Sequence, residues 1–446
     1  AISLHGEGHL DRAEVLLMQI RAIEPRHHVA CLELARILIR KNRFDEAVRL
    51  LEPLVDDVHE SAAAVHQRLG LAHVCANRKA LALKHFERAH ELAPDDAQTL
   101  HVIANLQQAL GQDKEADVSF RRALALKPLV MIPAAASPPD FRVLFLFAPG
   151  AGNTPFRYLI DGARFESNVL SVVNDFDYDV DRLRSYADVV VNLVSDVDQG
   201  RDVLALVQAL GQRIGKRVIN PPQSISLTGR ATISTRLAGT PGCLVPQTQI
   251  LSPAQLRLAL ESTGSAALTF PLLLRPAGTH GGKDFEKLED ADAVDAFVRD
   301  HPSHAFYVTP FVDYRSRDGK FRKYRFIYVG DEILPYHLAI DGRWKVHHAT
   351  TPMAAFPWMQ DEERAFLADP WHVFGSAQQA ALRSIRETIA LDYFGIDCAL
   401  MPNGDVLVFE VNASMLVHDS NQQFAYRKPA VERIKRAFHS LLASTA

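Results

Sequence analysis

The chain has 446 residues, of which 48% are hydrophobic and 23% are charged, and its formal net charge is −4. A chain of this length is too long for one hydrophobic core, so we expect about two to four domains of ordinary globular composition. The slightly acidic balance excludes a strongly basic surface. Neither nucleic acid nor an anionic membrane is therefore an expected partner.

Two features predict a cytoplasmic location. No apolar run approaches the roughly 20 residues that span a bilayer, and no signal peptide precedes the first repeat motif. The four cysteines are scattered without the spacing of a metal site or a disulfide framework, which is typical of a reducing compartment. The chain starts at Ala1, inside a repeat, and this suggests an N-terminal truncation.

Residues 1–128 carry an internal repeat. A small residue recurs at spacings of 34, 35 and 34 residues, and a proline follows three of its four occurrences after twelve residues. The small residues are Ala13, Ala47, Ala82 and Ala116, and the prolines are Pro25, Pro94 and Pro128. This pattern resembles the tetratricopeptide repeat, in which a small residue lets paired helices approach closely and a proline ends the second helix.

Arrays of this kind stack helix pairs into a curved solenoid whose concave face binds a peptide or another subunit. The resemblance therefore implies a peptide or protein partner. Homodimerisation through the array is one alternative, and a packing element without any ligand is another.

After a Pro/Ala-rich linker at residues 129–140, the hydrophobic pattern changes from helical to strand-like. Apolar runs at residues 142–148, 188–194 and 217–220 alternate with a helical stretch, which predicts an α/β domain with a parallel sheet over residues 141–222. Gly150 and Gly152 follow the first strand, but the third glycine and the acidic partner of a dinucleotide-binding motif are missing. We therefore do not predict a dinucleotide-binding site there. Ligand-binding loops lie at the carboxyl edge of such a sheet, and Asn153 and Thr154 follow its first strand there.

Near the C-terminus, two β-forming runs at residues 396–400 and 406–411 flank the turn sequence Pro-Asn-Gly-Asp, which predicts a hairpin. Asp397 lies in the first strand, and Glu410 and Asn412 lie on one face at the end of the second. Three oxygen-bearing side chains at such a place suit a hard cation such as Mg²⁺, which Mn²⁺ could replace. A hairpin with a solvated polar face is the other interpretation.

An aspartate, a hairpin and then Glu-x-Asn resembles the metal-binding end of the ATP-grasp ligases, the superfamily of glutathione synthetase and D-alanine:D-alanine ligase. The resemblance implies that residues 141–222 are the α/β domain that precedes the ATP-grasp fold. Residues 223–305 would form its small nucleotide subdomain, and residues 306–446 its metal-binding subdomain. The predicted fold class is multidomain: an all-α solenoid, an α/β domain and an α+β ATP-grasp domain.

The same resemblance assigns ATP-binding residues upstream of the hairpin. Arg230 and Arg275 stand where relatives carry lysines for the phosphates, and an arginine can make these contacts with a planar fork. The glycine-rich loop after Arg275 places backbone N–H groups over phosphates through Gly278, Gly281 and Gly282.

Residues 305–313 match the strand that holds adenine in this family. The resemblance implies that Thr309 and Phe311 contact the nucleotide and that Asp313 binds the ribose hydroxyls.

Residues 321–329 alternate cationic and aromatic side chains along a strand. Arg325 corresponds to the arginine that faces the γ-phosphate and the acyl-phosphate, and Lys323 lies on the same face by the period of two. A solvated charged face is the alternative. We expect residues 349–375 to be an irregular insertion that forms a lid over the amine site.

The implied function is an ATP-dependent ligase that joins a carboxylate to an amine through an acyl-phosphate and releases ADP and phosphate. Its cofactors would be ATP and Mg²⁺, and its substrate a peptide, a protein tail or an intermediate of specialised biosynthesis. The rival hypothesis is a repeat adaptor with a non-catalytic nucleotide-binding module. The two arginines in place of lysines favour the adaptor, and the intact set of metal ligands favours the ligase.

Overall fold

The computed structural model describes residues 7–150, 152–262, 268–279, 284–347, 350–419 and 421–446. The chain divides into two compact units, Ala1–Val130 and Met131–Ala446. Among the described residues, no helix has both the length and the apolar composition that crossing a membrane requires.

The described part of the first unit is helical. Its helices are α1 Glu7–Ile23, α2 His28–Arg40, α3 Phe44–Leu51, α4 Ala62–Cys75, α5 Lys79–Leu92, α6 Ala97–Ala109 and α7 Asp113–Leu126, with a 3₁₀ turn at Glu52–Leu54. The four repeating alanines are all buried at helix–helix contacts. Each of the three prolines follows the end of a helix by two residues, because proline cannot continue the hydrogen-bonded ladder. The predicted all-α repeat array is confirmed.

A five-stranded sheet begins the second unit. Its strands are β1 Leu129–Ile132, β2 Arg142–Phe147, β3 Glu166–Ser171, β4 Val189–Asn192 and β5 Val218–Ile219, in the order β1-β3-β2-β4-β5. Strands β2, β3, β4 and β5 are parallel to one another. Helices α8 Arg157–Ile160, α9 Val180–Ser185 and α10 Val197–Ile214 connect them. Two of these strands were not predicted. β1 starts inside the expected linker. β3 begins with polar residues, which do not predict a buried strand. The side chain of Asn168 is nevertheless buried, because it donates hydrogen bonds to Glu166 and to the carbonyl of Tyr186.

A small antiparallel sheet follows helices α11 Pro222–Ser226 and α12 Arg230–Arg236. Its strands are β7 Gln249–Leu251, β8 Leu272–Pro276, β9 Glu286–Leu288 and β10 Phe306–Pro310, in the order β7-β10-β8-β9, and α13 Pro253–Glu261 and α14 Ala291–Asp300 share its core. β10 pairs with both β7 and β8, so the small subdomain extends to Pro310. The boundary between the two subdomains, which was expected between residues 305 and 306, therefore lies after β10.

The larger sheet contains the hairpin that the sequence predicts. Its strands are β11 Phe321–Val329, β12 Glu332–Asp341, β13 Tyr393–Leu400, β14 Val406–Asn412 and the short β6 Cys243–Leu244, in the order β12-β11-β13-β14-β6. Helix α16 Ser376–Ile389 leads into β13, and α17 Lys428–Thr445 ends the chain. One hydrophobic core joins this sheet, α17 and the parallel sheet, through residues such as Ile327, Ile434 and Phe145. The expected α/β and α+β architecture is confirmed.

The expected irregular insertion at residues 349–375 is wrong, because it contains helix α15 Pro357–Ala368. Phe366 of this helix packs against Tyr324 and Phe326 of β11. Glu363 is fully buried, and its carboxylate accepts hydrogen bonds from the ring of His337, from the Leu338 N–H, from Tyr426 and from Arg427. A buried carboxylate with four donors anchors the helix to the sheet, and none of the described residues of α15 lines the cleft that is the candidate site.

Candidate active site

A cleft of about 1060 Å³ lies between the small sheet and the larger sheet. Its walls come from α12, β8, β10, β11, β13 and β14, so residues far apart in the sequence meet there. The sequence-predicted residues that line it are Arg230, Arg275, Thr309, Phe311, Lys323, Arg325, Asp397, Glu410 and Asn412.

Other predicted residues lie elsewhere. Asp313 is not among the lining residues, and its carboxylate pairs with the guanidinium of Arg315 at the surface. Gly278 has φ +78° directly after β8 and does not line the cleft either. Gly281 and Gly282 lie outside the described residues.

Asn153 and Thr154 have structural roles. The amide of Asn153 bonds to the backbone N–H and carbonyl of Ala148 and closes the loop after β2. The hydroxyl of Thr154 is buried and donates to the carbonyl of Ala413, next to the end of β14. Both side chains therefore hold the backbone of this loop and of the segment after β14 in place.

Strand register brings the central charges into a row. Arg325 of β11 lies opposite Asp397 of β13, which in turn lies opposite Glu410 of β14. Directly opposed residues of antiparallel strands point to the same face, so the three side chains share one face of the sheet. A bulge after Asp397 shifts the register locally, and Asn412, opposite Gly395, falls beside the row.

Asp397 is held by two cations. Its carboxylate accepts from Arg325 Nε at 2.6 Å and Nη2 at 2.9 Å, and from Lys323 Nζ at 2.9 Å. The side chain is only 5% exposed. Burial alone would raise its pKa, but Arg325 and Lys323 hold the pKa well below its usual range, so the group is a carboxylate.

Arg230 makes the second ion pair of the cleft. It is the first residue of α12, and its Nη2 lies 2.9 Å from Glu410 Oε1. The carboxylate raises the pKa of Arg230. Both side chains keep between a quarter and a third of their surface exposed, so this pair is more accessible than the Asp397 cluster.

Arg275 is a buried cation with a different environment. It lies at the end of β8, its exposed fraction is 8%, and its Nε and Nη2 are each 3.3 Å from Thr279 Oγ1. Among the described residues it has no carboxylate partner within ion-pair distance. Burial, and then the charge of Arg230, lower its pKa to about 10. The cleft therefore contains a buried arginine without an ion-pair partner, on which the carboxylates of Glu410 and Asp198 act only from a greater distance.

The other end of the cleft is aromatic. The Trp344 ring meets Phe285 and Phe311 edge to face, with centroid distances of 5.6 and 5.8 Å. Lys287 Nζ lies 4.4 Å from the centre of the Phe311 ring, and Lys345 Nζ donates to the carbonyl of Phe285 at 2.6 Å. Such a lining suits a flat apolar group with polar edges. Trp344 and Lys345 were missed, because the segment that begins at Trp344 was interpreted as a further strand, whereas in the structure it is a loop after β12.

Tyr307 was also missed, although a signal was present. It lies two residues before Thr309, so the period of two places both on the cleft side of β10. Its hydroxyl donates to the carboxylate of Asp198 in α10 at 2.9 Å. This bond links the small sheet to the parallel-sheet domain.

The three oxygen-bearing side chains of the β13–β14 hairpin fit a hard divalent cation. Asp397, Glu410 and Asn412 offer only oxygen ligands, and Asn412 Oδ1 is oriented by the Ser414 N–H at 2.6 Å. Within the described ranges, no cluster of three or more His, Cys, Asp or Glu side chains could hold a metal. A cation bound here would therefore need further oxygens from water or phosphate, which is the usual situation of Mg²⁺.

Comparison with known proteins identifies the repeats of the first unit. Residues 4–69 and 97–128 match models of the tetratricopeptide repeat. No match was found among curated proteins. The crystal structure of MamA is similar over 27% of this chain and 71% of its own, with 19% identity and a TM-score of 0.26.

Solved structures of ATP-grasp proteins are similar to the larger part of the chain. The VanG D-Ala:D-Ser ligase from Enterococcus faecalis matches 69% of this chain and 99% of its own, with 12% identity and a TM-score of 0.42. A RimK domain ATP-grasp protein from Sphaerobacter thermophilus matches 68% and 99%, with 17% identity and a TM-score of 0.39. Of the two units, the first is shown by its family models to be an array of tetratricopeptide repeats.

The buried charge of Arg275 generates a stability prediction. Arg275→Met keeps most of the apolar stem and removes a desolvated charge, so we expect the free energy of unfolding to rise by about 1–2 kcal/mol. Arg325→Met is the matched control. It leaves Asp397 with a single cation, and we expect it to lower the free energy of unfolding by about 3 kcal/mol. Urea unfolding followed by circular dichroism measures both, and destabilisation by Arg275→Met would contradict the assignment of a buried charge that costs folding free energy for want of an ion-pair partner.

Proposed function

We propose that the second unit is an ATP-dependent ligase that joins a carboxylate to an amine through an acyl-phosphate and releases ADP and phosphate. The observation that carries this proposal is the composition of the cleft. A buried arginine without a carboxylate partner, Arg275, shares the cleft with an oxygen row formed by Asp397, Glu410 and Asn412. Cations for phosphates and oxygens for a metal are what a Mg²⁺–triphosphate needs in one place.

In this proposal each end of the cleft holds a different part of the nucleotide. The aromatic end formed by Phe285, Phe311 and Trp344 receives the base, and Arg275 supplies the charge that the phosphates neutralise. Asp397, Glu410 and Asn412 would hold Mg²⁺. When bound, the ion withdraws charge from phosphate oxygens.

Four of the cations that line the cleft would stabilise the charges that develop in the reaction. Lys323, Arg325, Arg230 and Arg275 bind phosphate oxygens and stabilise the negative charge as the γ-phosphoryl group of ATP moves to the carboxylate oxygen, which breaks its bond to the β-phosphate oxygen and releases ADP. The amine nitrogen then forms the C–N bond with the acyl carbon, and phosphate leaves as the C–O bond breaks and the amine releases a proton. Preorganised charge and positioning are sufficient for both steps, so no covalent nucleophile is proposed.

One observation favours a non-catalytic nucleotide module. Asp397 and Glu410 are both bound to cations of the cleft, and both expected lysines are arginines. In an adaptor these ion pairs would only hold the subdomains together. The buried charge of Arg275, which has no ion-pair partner among the described residues, is against this function, because a purely structural site gains nothing by retaining it.

The repeat array contributes a partner in this proposal. Because the first unit is a tetratricopeptide-repeat array, we propose that it binds a peptide or protein that carries the substrate, with self-association of arrays as the alternative.

Product analysis tests the ligase. Wild-type protein with ATP, Mg²⁺ and a panel of carboxylates and amines should form ADP and phosphate, measured by ³¹P NMR. Glu410→Ala should keep its circular dichroism spectrum and lose at least about 100-fold in turnover, because it removes a metal oxygen and the partner of Arg230. Arg275→Lys should change the ATP affinity. AMP and pyrophosphate as products, or no response to either substitution, would contradict the ligase.

Deletion of residues 1–128 tests the role of the array. If the array presents the substrate, the truncated protein should retain kcat and show a large rise in KM for that substrate, because uniform binding is lost. Light scattering of both forms distinguishes the alternative, in which the oligomeric state changes and KM does not. A monodisperse truncated enzyme with unchanged KM and oligomeric state would contradict both roles.

A further inference from the structure

The groups proposed for the metal and those proposed for the phosphates are bound to each other in this structure. Glu410 accepts from Arg230 at 2.9 Å, and Asp397 accepts from Arg325 and Lys323. Each acid is thus neutralised by a cation that the nucleotide needs, and each of those cations is neutralised by an acid that the metal needs. Only Arg275 stands outside this pairing among the cations assigned to the phosphates.

The two pairings differ in how easily they can separate. Asp397 is almost fully buried and has three hydrogen bonds to cations, so breaking this cluster would leave a desolvated charge. Arg230 and Glu410 share one hydrogen bond, and the side chains are 28% and 27% exposed. Partial exposure lowers the cost of separation, because water can solvate both groups. The Arg230–Glu410 pair is therefore the releasable one.

We propose that the Arg230–Glu410 ion pair makes the binding of Mg²⁺ and of nucleotide mutually dependent. This inference rests on the proposed function and adds a mechanism of binding to it. A metal that binds Glu410 breaks the ion pair and leaves Arg230 available to a phosphate. A phosphate that binds Arg230 leaves Glu410 available to a metal in the same way. Either ligand alone must break the pair and leave one of its members without a partner.

The charges around the pair also make the binding of each ligand favour the binding of the other. A divalent cation that enters alone meets Arg230, Arg275, Lys323 and Arg325 around the acids, and a nucleotide that enters alone meets two carboxylates. Arg230 also lies near enough to Arg275 to lower the pKa of Arg275, so the two guanidinium groups repel each other until an anion lies between them. Each ligand removes the charge that opposes the other, which is a coupling free energy between two sites.

Binding measurements on the full chain test this coupling without turnover. ADP affinity is measured by isothermal titration with and without Mg²⁺, and Mn²⁺ affinity by electron paramagnetic resonance with and without ADP. We expect each ligand to tighten the other by the same factor, about tenfold or more, because coupling is reciprocal.

Substitution of each member of the pair should have opposite effects. Arg230→Met should tighten Mn²⁺ alone, since Glu410 is already free, weaken ADP, and reduce the coupling factor toward one. Glu410→Gln should tighten ADP in the absence of metal and weaken Mn²⁺. Arg364→Met, which removes an exposed ion pair with Asp361 in α15, is the control and should leave all four affinities unchanged.

The outcomes separate this inference from the proposed function. If wild-type protein binds no ADP in the presence of Mg²⁺, the proposed function itself is wrong. If ADP and Mn²⁺ bind independently, or if Arg230→Met weakens both ligands, the proposed function stands and the coupling through this pair is wrong. Glu410→Gln gives an independent test, so the inference can still be overturned if Arg230→Met does not fold.

Discussion

The burial of Asp397 is the constraint on which the rest of the cleft depends. A carboxylate that is 5% exposed on an apolar sheet is stable only where cations face it, and the register of β11 and β13 places Arg325 directly opposite. Lys323 lies two residues earlier on the same strand and supplies the second cation. The next strand places Glu410 on the other side of Asp397, and this acid in turn binds Arg230 at the start of α12. One row of charges thus connects the larger sheet to the helix that precedes the small sheet.

Arg275 shows how function and stability are opposed in such a cleft. Every other cation assigned to the phosphates has a carboxylate within ion-pair distance among the described residues, whereas the charge of Arg275 is desolvated and repelled by Arg230. Folding stability alone would favour an apolar residue of the same size. An anionic ligand such as a phosphate explains why a charge is retained there. Arg275 therefore indicates a phosphate-binding site more strongly than the other cations do, because their carboxylate partners already account for them.

The sequence predicts those parts of the fold that rest on short-range patterns. The hairpin of β13 and β14 follows from alternating apolar residues around a Pro-Asn-Gly-Asp turn, and the repeats follow from the spacing of small residues. Prediction from the sequence fails where polar residues are buried. β3 contains the buried Asn168, and α15 contains the buried Glu363, whose partners Tyr426 and Arg427 lie more than sixty residues away. Pairing of Arg230 with Glu410, 180 residues apart, is likewise invisible to local pattern.

A crystal structure of the protein with Mg²⁺ and ADP tests the central claim most directly, which is that one cleft holds the phosphates on Arg275 and the metal on the oxygen row. The expected result is an oxygen of Asp397, of Glu410 and of Asn412 within about 2.1 Å of the metal, Arg275 in hydrogen-bond contact with a phosphate, and the base between Phe285, Phe311 and Trp344. A nucleotide bound outside this cleft, or a metal held by other side chains while Glu410 remains on Arg230, would contradict it.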